Sequence, residues 1–269
     1  MSHLAPSDLH FLGNYTRALP VSLNRMMENA YDWEHLPFVH PSSFASIELI
    51  DEGEWGWRCK TNFPLAAGGG DQVVELLVDR ASHYWATTVL EGTGEGVQIH
   101  TQAISKGQRA IEIDIRFYLP QAPETDAQAA MILGYLQAQY KTLYDEDEAL
   151  MSARQSALDR KLADPAPAVS KTDLGIETEL DREAVHSVDL EQGRFAVRFH
   201  DGEWIAHAAV CPHMLGPLAQ GKIEKGRVIC PWHGYAFDLE SGGELGQKCG
   251  ALPDAPPLRV IDGHLFIGD

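Results

Sequence analysis

Through most of the N-terminal half, apolar residues alternate with polar ones. The clearest run is RAIEIDIRFYLP: Ile111, Ile113, Ile115, Phe117 and Leu119 fall on one side, and Glu112, Asp114, Arg116 and Tyr118 on the other. A period of two marks a strand with one buried and one wet face, and such strands belong to antiparallel sheets. SIELID, EWGWRCKTNF, QVVELLVDR, HYWATTVLEG and GVQIHTQAIS have the same strand character. Ahead of them FLGNYTRAL reads as extended and PVSLNRMMENAYDW as a helix with Pro20 near its start. Pro37 and Pro41 break the segment beyond that helix. Past Pro120 and Pro123 the period changes. Leu136, Tyr140, Leu143, Leu150 and Leu158 recur at helical steps, which predicts a long helix from Asp126 to Leu162.

The pattern changes again at RKLADPAPAVSKTDLGIETE, which is rich in Pro, Ala, Ser and Asp, lacks apolar periodicity and reads as a linker. The expected organisation is a domain over residues 1–162, a linker over 163–175 and a second domain over 176–269. The second reads as all-β with short strands. RFAVRFH and EWIAHAAV flank Asp201-Gly202, a type I′ hairpin signal, and RVIC, AFDLESGG and LRVIDGHLFIGD continue the series. The fold class expected is α+β: an antiparallel sheet with a long C-terminal helix, followed by an all-β domain.

Composition narrows the partners. The 269 residues are 44% hydrophobic and 22% charged, ordinary for a globular protein, but the net charge is −18. The acid is spread over both parts of the chain. Such a chain repels phosphate backbones, so nucleic acid is not an expected partner, whereas a basic patch on a protein would be attracted. No apolar stretch is long enough to span a bilayer. The start, MSHLAPSDLHFLG, lacks a basic segment followed by an apolar run, so neither membrane span nor signal peptide is expected and the cytoplasm is the expected compartment. Of four cysteines, Cys59 and Cys249 stand apart and are expected to be buried small apolar groups.

The other two cysteines lie in CPHMLGPLAQGKIEKGRVICPWHG, where Cys211 pairs with His213 and Cys230 with His233. A Cys2His2 zinc site takes both Cys from one place and both His from another. Here each loop offers one of each, which suits a two-iron cluster with both thiolates on one iron and both imidazoles on the other. The motif resembles that of Rieske [2Fe–2S] domains, and CPH…GPL…G…CPWHG…FDL…G carries the resemblance over residues 176–269. Met214 departs from it, since Arg is usual there. A structural zinc site is the competing reading.

A second constellation lies in NAYDWEHLPFVH, with Asp32, His35 and His40. On an unbroken helix the two His would stand about 140° apart; Pro37 is expected to end the helix between them and let His40 turn back. Two imidazoles and a carboxylate suit non-haem iron. On the long helix Asp147 falls on the apolar stripe, where a carboxylate is costly unless paired or bound to a cation, whereas Asp145, Glu146 and Glu148 read as a solvated run.

N-x-x-D-x-x-H-x-x-x-x-H from Asn29, together with EDEALMSARQSALDRK on the late helix, resembles the catalytic domain of Rieske non-haem iron oxygenases, in particular the smaller demethylase and monooxygenase members. The resemblance implies a helix-grip (START-like) fold in which His35, His40 and Asp147 bind a mononuclear Fe(II). It also implies that Asp32 carries electrons from a cluster histidine, His233, and that Cys211, His213, Cys230 and His233 hold the [2Fe–2S] cluster. The implied reaction uses O2 and electrons from a ferredoxin and/or NAD(P)H-dependent reductase to hydroxylate, dihydroxylate or oxidatively demethylate a small apolar, aromatic substrate. In the family the cluster of one subunit serves the iron of its neighbour in a ring of three, so a homo-oligomer is implied. The domain order is the reverse of the family's. The competing function is a Rieske electron carrier whose N-terminal domain only binds a ligand.

Other residues carry less. His83 and His100 sit on strands near the expected cavity; either could touch substrate, but each reads first as a plain strand residue, and Trp55, Trp57 and Trp85 could line the cavity or pack the core. GTGEG at 92–96 lacks the strand-to-helix context of a nucleotide loop and reads as a hairpin turn, so NAD(P)H would act through a separate reductase.

Overall fold

Each alternating run of the N-terminal half is a strand in the computed structural model, which describes residues 8–162 and 169–269. The chain divides into two compact units, Met1–Gln155 and Ser156–Asp269. In the first, β1 (His10–Leu19), β2 (Ser46–Gly53), β3 (Gly56–Asn62), β4 (Asp71–Asp79), β5 (Tyr84–Gly92), β6 (Gln98–Gly107) and β7 (Ala110–Leu119) form one sheet in the order β1-β7-β6-β5-β4-β3-β2. Every pair is antiparallel, and β1 alone pairs outside sequence order. Ile111, Ile113, Ile115 and Phe117 are each 1% exposed or less, so the alternation of β7 marks the buried face. The long helix α3 (Asp126–Leu162) lies over that face, with the Tyr140 ring 5.3 Å from Phe117.

Between β1 and β2 the chain forms α1 (Leu23–Tyr31), one 3-10 turn at Trp33–His35 and α2 (Leu36–Val39). The Ser22 hydroxyl caps α1 by accepting the Arg25 N–H at 3.3 Å, so the helix starts inside the position expected from Pro20. The expected break at Pro37 is also corrected. The chain leaves α1 at Asp32 (φ −83, ψ 82), and Pro37 stands in the first turn of α2, where its missing N–H costs nothing. The segment is tied down by Trp57 Nε1, which donates to the Ala30 carbonyl at 3.0 Å, and by Arg154 from α3, which donates to Glu28 at 3.1 Å.

Arg17 of β1 clamps α3 from outside, donating to Asp145 and Glu148 at 2.6 Å each. Two members of the acidic run read as solvated therefore fix the rotation of the helix. Among the described residues no helix is long and apolar enough to cross a membrane.

The second unit is all-β, as expected: β8 (Lys171–Ile176), β9 (His186–Leu190), β10 (Gly193–His200), β11 (Glu203–Ala208), β12 (Lys222–Glu224), β13 (Arg227–Ile229), β14 (Ala236–Asp238), β15 (Leu258–Ile261) and β16 (His264–Gly268). They make three small sheets, β11-β10-β9, β12-β13-β14 and β15-β16-β8. Strand β8 pairs with β16 inside the stretch expected to be linker; residues 163–168 of that stretch lie outside the described residues. Asp201 and Gly202 both have positive φ (49° and 92°), as a type I′ turn requires. Val188, Phe195, Val197, Leu265 and Ile267 form the core.

Phe117 is fully buried and holds α3 to the sheet through Tyr140. Phe117→Ala is expected to destabilise the N-terminal unit by about 3–5 kcal/mol, read as a lower denaturant midpoint for that unit, with the visible spectrum of the C-terminal unit retained.

Candidate metal centres and cavity

The break at Asp32 decides the geometry of the first centre. With α1 ended and a 3-10 turn inserted, His35 and His40 no longer share one helix, and their rings meet edge to face with centroids 5.2 Å apart. Asp147 reaches them from α3. Its Oδ1 lies 3.3 Å from His35 Nε2 and 3.1 Å from His40 Nε2. All three residues are buried, and one donor atom from each lies within 4.8 Å of the others. The Asn29 amide donates to the same Oδ1 at 3.0 Å.

The outer nitrogens of the two imidazoles are matched by carboxylates. His40 Nδ1 is 2.7 Å from Glu146 Oε2, and His35 Nδ1 is 3.6 Å from Asp32 Oδ2. This is the arrangement that fixes the tautomer of a ligating His and leaves Nε2 for the metal. Glu146, read from sequence as a solvated acid, is a partner of the centre. That role is not visible in the sequence, because an acidic run on a helix gives no sign of what stands opposite it.

Electrostatics fit a cation site. Burial would raise the Asp147 pKa, yet the imidazoles of His35 and His40 overcome it and hold the carboxyl well below the ordinary carboxylate range. Burial would lower the His35 pKa, but Asp147 and Asp32 together raise it from 6.5 to about 10. Neither buried nitrogen of His35 makes a well-formed hydrogen bond. A 2-His-1-carboxylate set with unsatisfied buried donors suits Fe(II).

The centre opens into a cavity of about 340 Å³ between the sheet and α3. Trp57, Trp85, Leu76, Tyr140 and Leu143 wall it, and burial pushes the Tyr140 and Tyr144 phenols up, so both stay neutral. Trp55 is not among the lining residues. Neither His83 nor His100 lines the cavity, which removes substrate contact as a reading of either. His83 sits in the turn before β5 with φ 52°. Ile99 faces the cavity, so His100 beside it points to the other face of the sheet. There it bonds Tyr84 at 2.6 Å and Gln98 at 2.9 Å, and burial beside Arg116 lowers its pKa to about 4. The GTGEG stretch is the β5–β6 hairpin turn, as expected, and Thr93 and Gly94 from it reach the cavity.

In the C-terminal unit two loops face each other, one after β11 and one after β13. The first is pinned by Cys211 N–H donating to the Gly216 carbonyl at 2.9 Å, the second by Cys230 N–H donating to the Tyr235 carbonyl at 2.8 Å. They bring Cys211 and Cys230 thiol to thiol, each 1% exposed, and His213 Nδ1 to 3.3 Å from His233 Nδ1. The mutual hydrogen bond and burial push the Cys211 thiol up, while that bond, together with His233 and against burial, brings Cys230 down. Two sulfurs on one side and two like nitrogens on the other match the donor types that a Rieske cluster requires. Cys249 is half-buried beside these thiols, which corrects the expectation of a buried apolar group; Cys59 is buried.

Comparison with known proteins agrees on this unit. Residues 170–260 match the Rieske [2Fe-2S] domain, so the C-terminal unit is one. Apoptosis-inducing factor 3 from Mus musculus is 32% identical over 96 residues, which are 34% of this chain and 16% of that protein. Chloroplastic pheophorbide a oxygenase from Oryza sativa subsp. japonica is 44% identical over 61 residues, 22% of this chain and 11% of that protein. The chain thus spans less than a fifth of either relative. A START superfamily protein from Mycobacterium smegmatis aligns with 51% of this chain and 97% of its own at 12% identity, with a TM-score of 0.44.

This geometry sets two expected outcomes. A Cβ on Gly216 would sit 2.9 Å from Cys230 Sγ and 3.1 Å from the Trp232 ring, so Gly216→Ala is expected to lose most of the cluster's visible absorbance. In the N-terminal centre, His35 holds its proton up to about pH 10, and a metal must displace it. Co(II) affinity, read from its visible bands, is expected to rise with pH through the neutral range, about tenfold per unit; a pH-independent affinity would contradict the assignment of His35.

Proposed function

We propose that the chain is a Rieske-type non-haem iron oxygenase. It uses O2 and electrons from a ferredoxin and/or an NAD(P)H-dependent reductase to hydroxylate, dihydroxylate or demethylate a small apolar substrate. The observation that carries this reading is the convergence of His35, His40 and Asp147 on one point at the wall of an apolar cavity, in a chain that also holds a Rieske domain. The likeness of that domain to the one in pheophorbide a oxygenase supports it.

His35 Nε2, His40 Nε2 and Asp147 Oδ1 would hold the iron. Iron supplies O2 activation when bound, and the cluster supplies single electrons. The chain's own residues prepare the site. Glu146 and Asp32 orient the two imidazoles. Asn29 holds the Asp147 carboxylate at one angle through its amide. The apolar walls exclude water from the reacting face. Asp32 is the residue proposed to pass electrons to His35; its carboxylate faces the His35 imidazole.

A second reading is an electron carrier with a ligand-binding but non-catalytic N-terminal domain. It is favoured by the short reach of the matched relatives, each sharing about a third of this chain or less. Iron and acid-labile sulfide analysis after anaerobic loading separates the two. About three irons to two sulfides is expected for a cluster plus one mononuclear site; about two to two, unchanged in a His35→Ala/His40→Ala variant, would favour the carrier. Asp147→Ala is expected to abolish substrate-dependent O2 uptake and leave the cluster spectrum intact.

A further inference from the structure

We infer that the cavity selects a neutral ring compound bearing one uncharged hydrogen-bonding group, which meets Thr61, Gln72 and Gln139. Calling that compound a substrate rests on the oxygenase reading; its binding does not.

The ionisable residues lining the cavity, the three tyrosines aside, are Asp32, His35, His40 and Asp147, all at one end, and no Lys or Arg lines it among the described residues. Asp32 and Asp147 carry two negative charges between them, enough to balance a divalent ion. Even the loaded centre then offers a substrate carboxylate no net positive charge. A carboxylate brought into these walls would lose its hydration without gaining a partner. The net charge of −18 adds to the exclusion of anions.

The other polar residues of the lining carry no charge. Thr61 of β3 and Gln72 of β4 are directly opposed in the sheet, and Gln72 in turn faces Gly92, next to the Thr93 turn. Gln139 approaches from α3, about 12 Å along the helix axis from Asp147. All of these except Gly92 line the cavity. Thr61 is 1% exposed, and neither its hydroxyl nor the amides of Gln72 and Gln139 has a side-chain hydrogen bond among the described residues. Polar groups that face a cavity favour a ligand group that can hydrogen-bond to them over one that cannot. Two amides and a hydroxyl offer donors and acceptors without charge, which suits a phenol, alcohol or carbonyl. The volume, about 340 Å³, is near the lower end of small-molecule sites and suits two or three rings.

The test is anaerobic calorimetric titration of the full iron-loaded chain with para-phenylphenol, a hydroxyphenanthrene and para-phenylbenzoate. A neutral probe is expected to bind at least about tenfold more tightly than the benzoate. Gln72→Leu/Gln139→Leu is expected to weaken the phenol by about tenfold, with circular dichroism checking the fold. Gln139→Arg is expected to admit the benzoate by supplying the missing charge. Equal binding of benzoate and phenol to the natural sequence, full phenol affinity in the double variant, or no binding by any neutral probe would each overturn the inference. Without O2 or reductant present, the result is separate from turnover. Neutral-selective binding alongside two irons per chain and no O2 uptake would strike the oxygenase reading and leave this one standing.

Discussion

A carboxylate on the buried stripe of a helix must be answered, and the N-terminal unit is organised around the answer to Asp147. Left alone, that group would protonate or turn the helix outward. Instead two imidazoles and the Asn29 amide surround it, all from the short connection between β1 and β2. That connection can supply them only because α1 stops at Asp32, so that the next residues turn under the helix rather than continue away from it. The same acidic run serves both faces of α3. Asp145 and Glu148 meet Arg17 on the outer side, Asp147 points inward, and Glu146 lies between, at His40. A helix that turned by even one residue's angle would exchange these roles.

The two centres solve one problem with different means. Each needs donors held close together before any cation arrives, although like groups repel and buried polar atoms are costly. In the C-terminal unit the loops are braced by their own backbone hydrogen bonds, and Gly216 leaves room for the Cys230 sulfur and the Trp232 ring. In the N-terminal unit the bracing comes from carboxylates behind the imidazoles. The soft thiolates suit a cluster that exchanges electrons, and the mixed nitrogen and oxygen set suits a single iron with open positions.

Much is legible in the chain itself. Alternation marks the strands of the large sheet, helical spacing marks α3, and paired Cys-His spacing marks the cluster loops. Asp147 stands out because it breaks an apolar stripe. The features that escape a reading of the sequence share a cause. Alternation tells which residues share a face, but not which face carries the cavity, so His100 is grouped with residues that in fact lie across the sheet from it. Pro37 signals a break, but the break that matters is at Asp32, where the backbone leaves α1 without any proline. Glu146 and Gln72 look like ordinary surface residues.

By itself, the sequence determined the elements, their order and the ligand types, because these depend on residues close together along the chain, where backbone preference and periodicity act. The tertiary structure alone decided that α3 brings Asp147 within 3.3 Å of His35, that Glu146 turns toward His40, and that Thr61, Gln72 and Gln139 line one cavity. The contact of Glu146 with His40 joins residues 106 positions apart. Such contacts depend on strand order and on the rotation of a helix, which are set by the packing of the whole unit rather than by any local stretch.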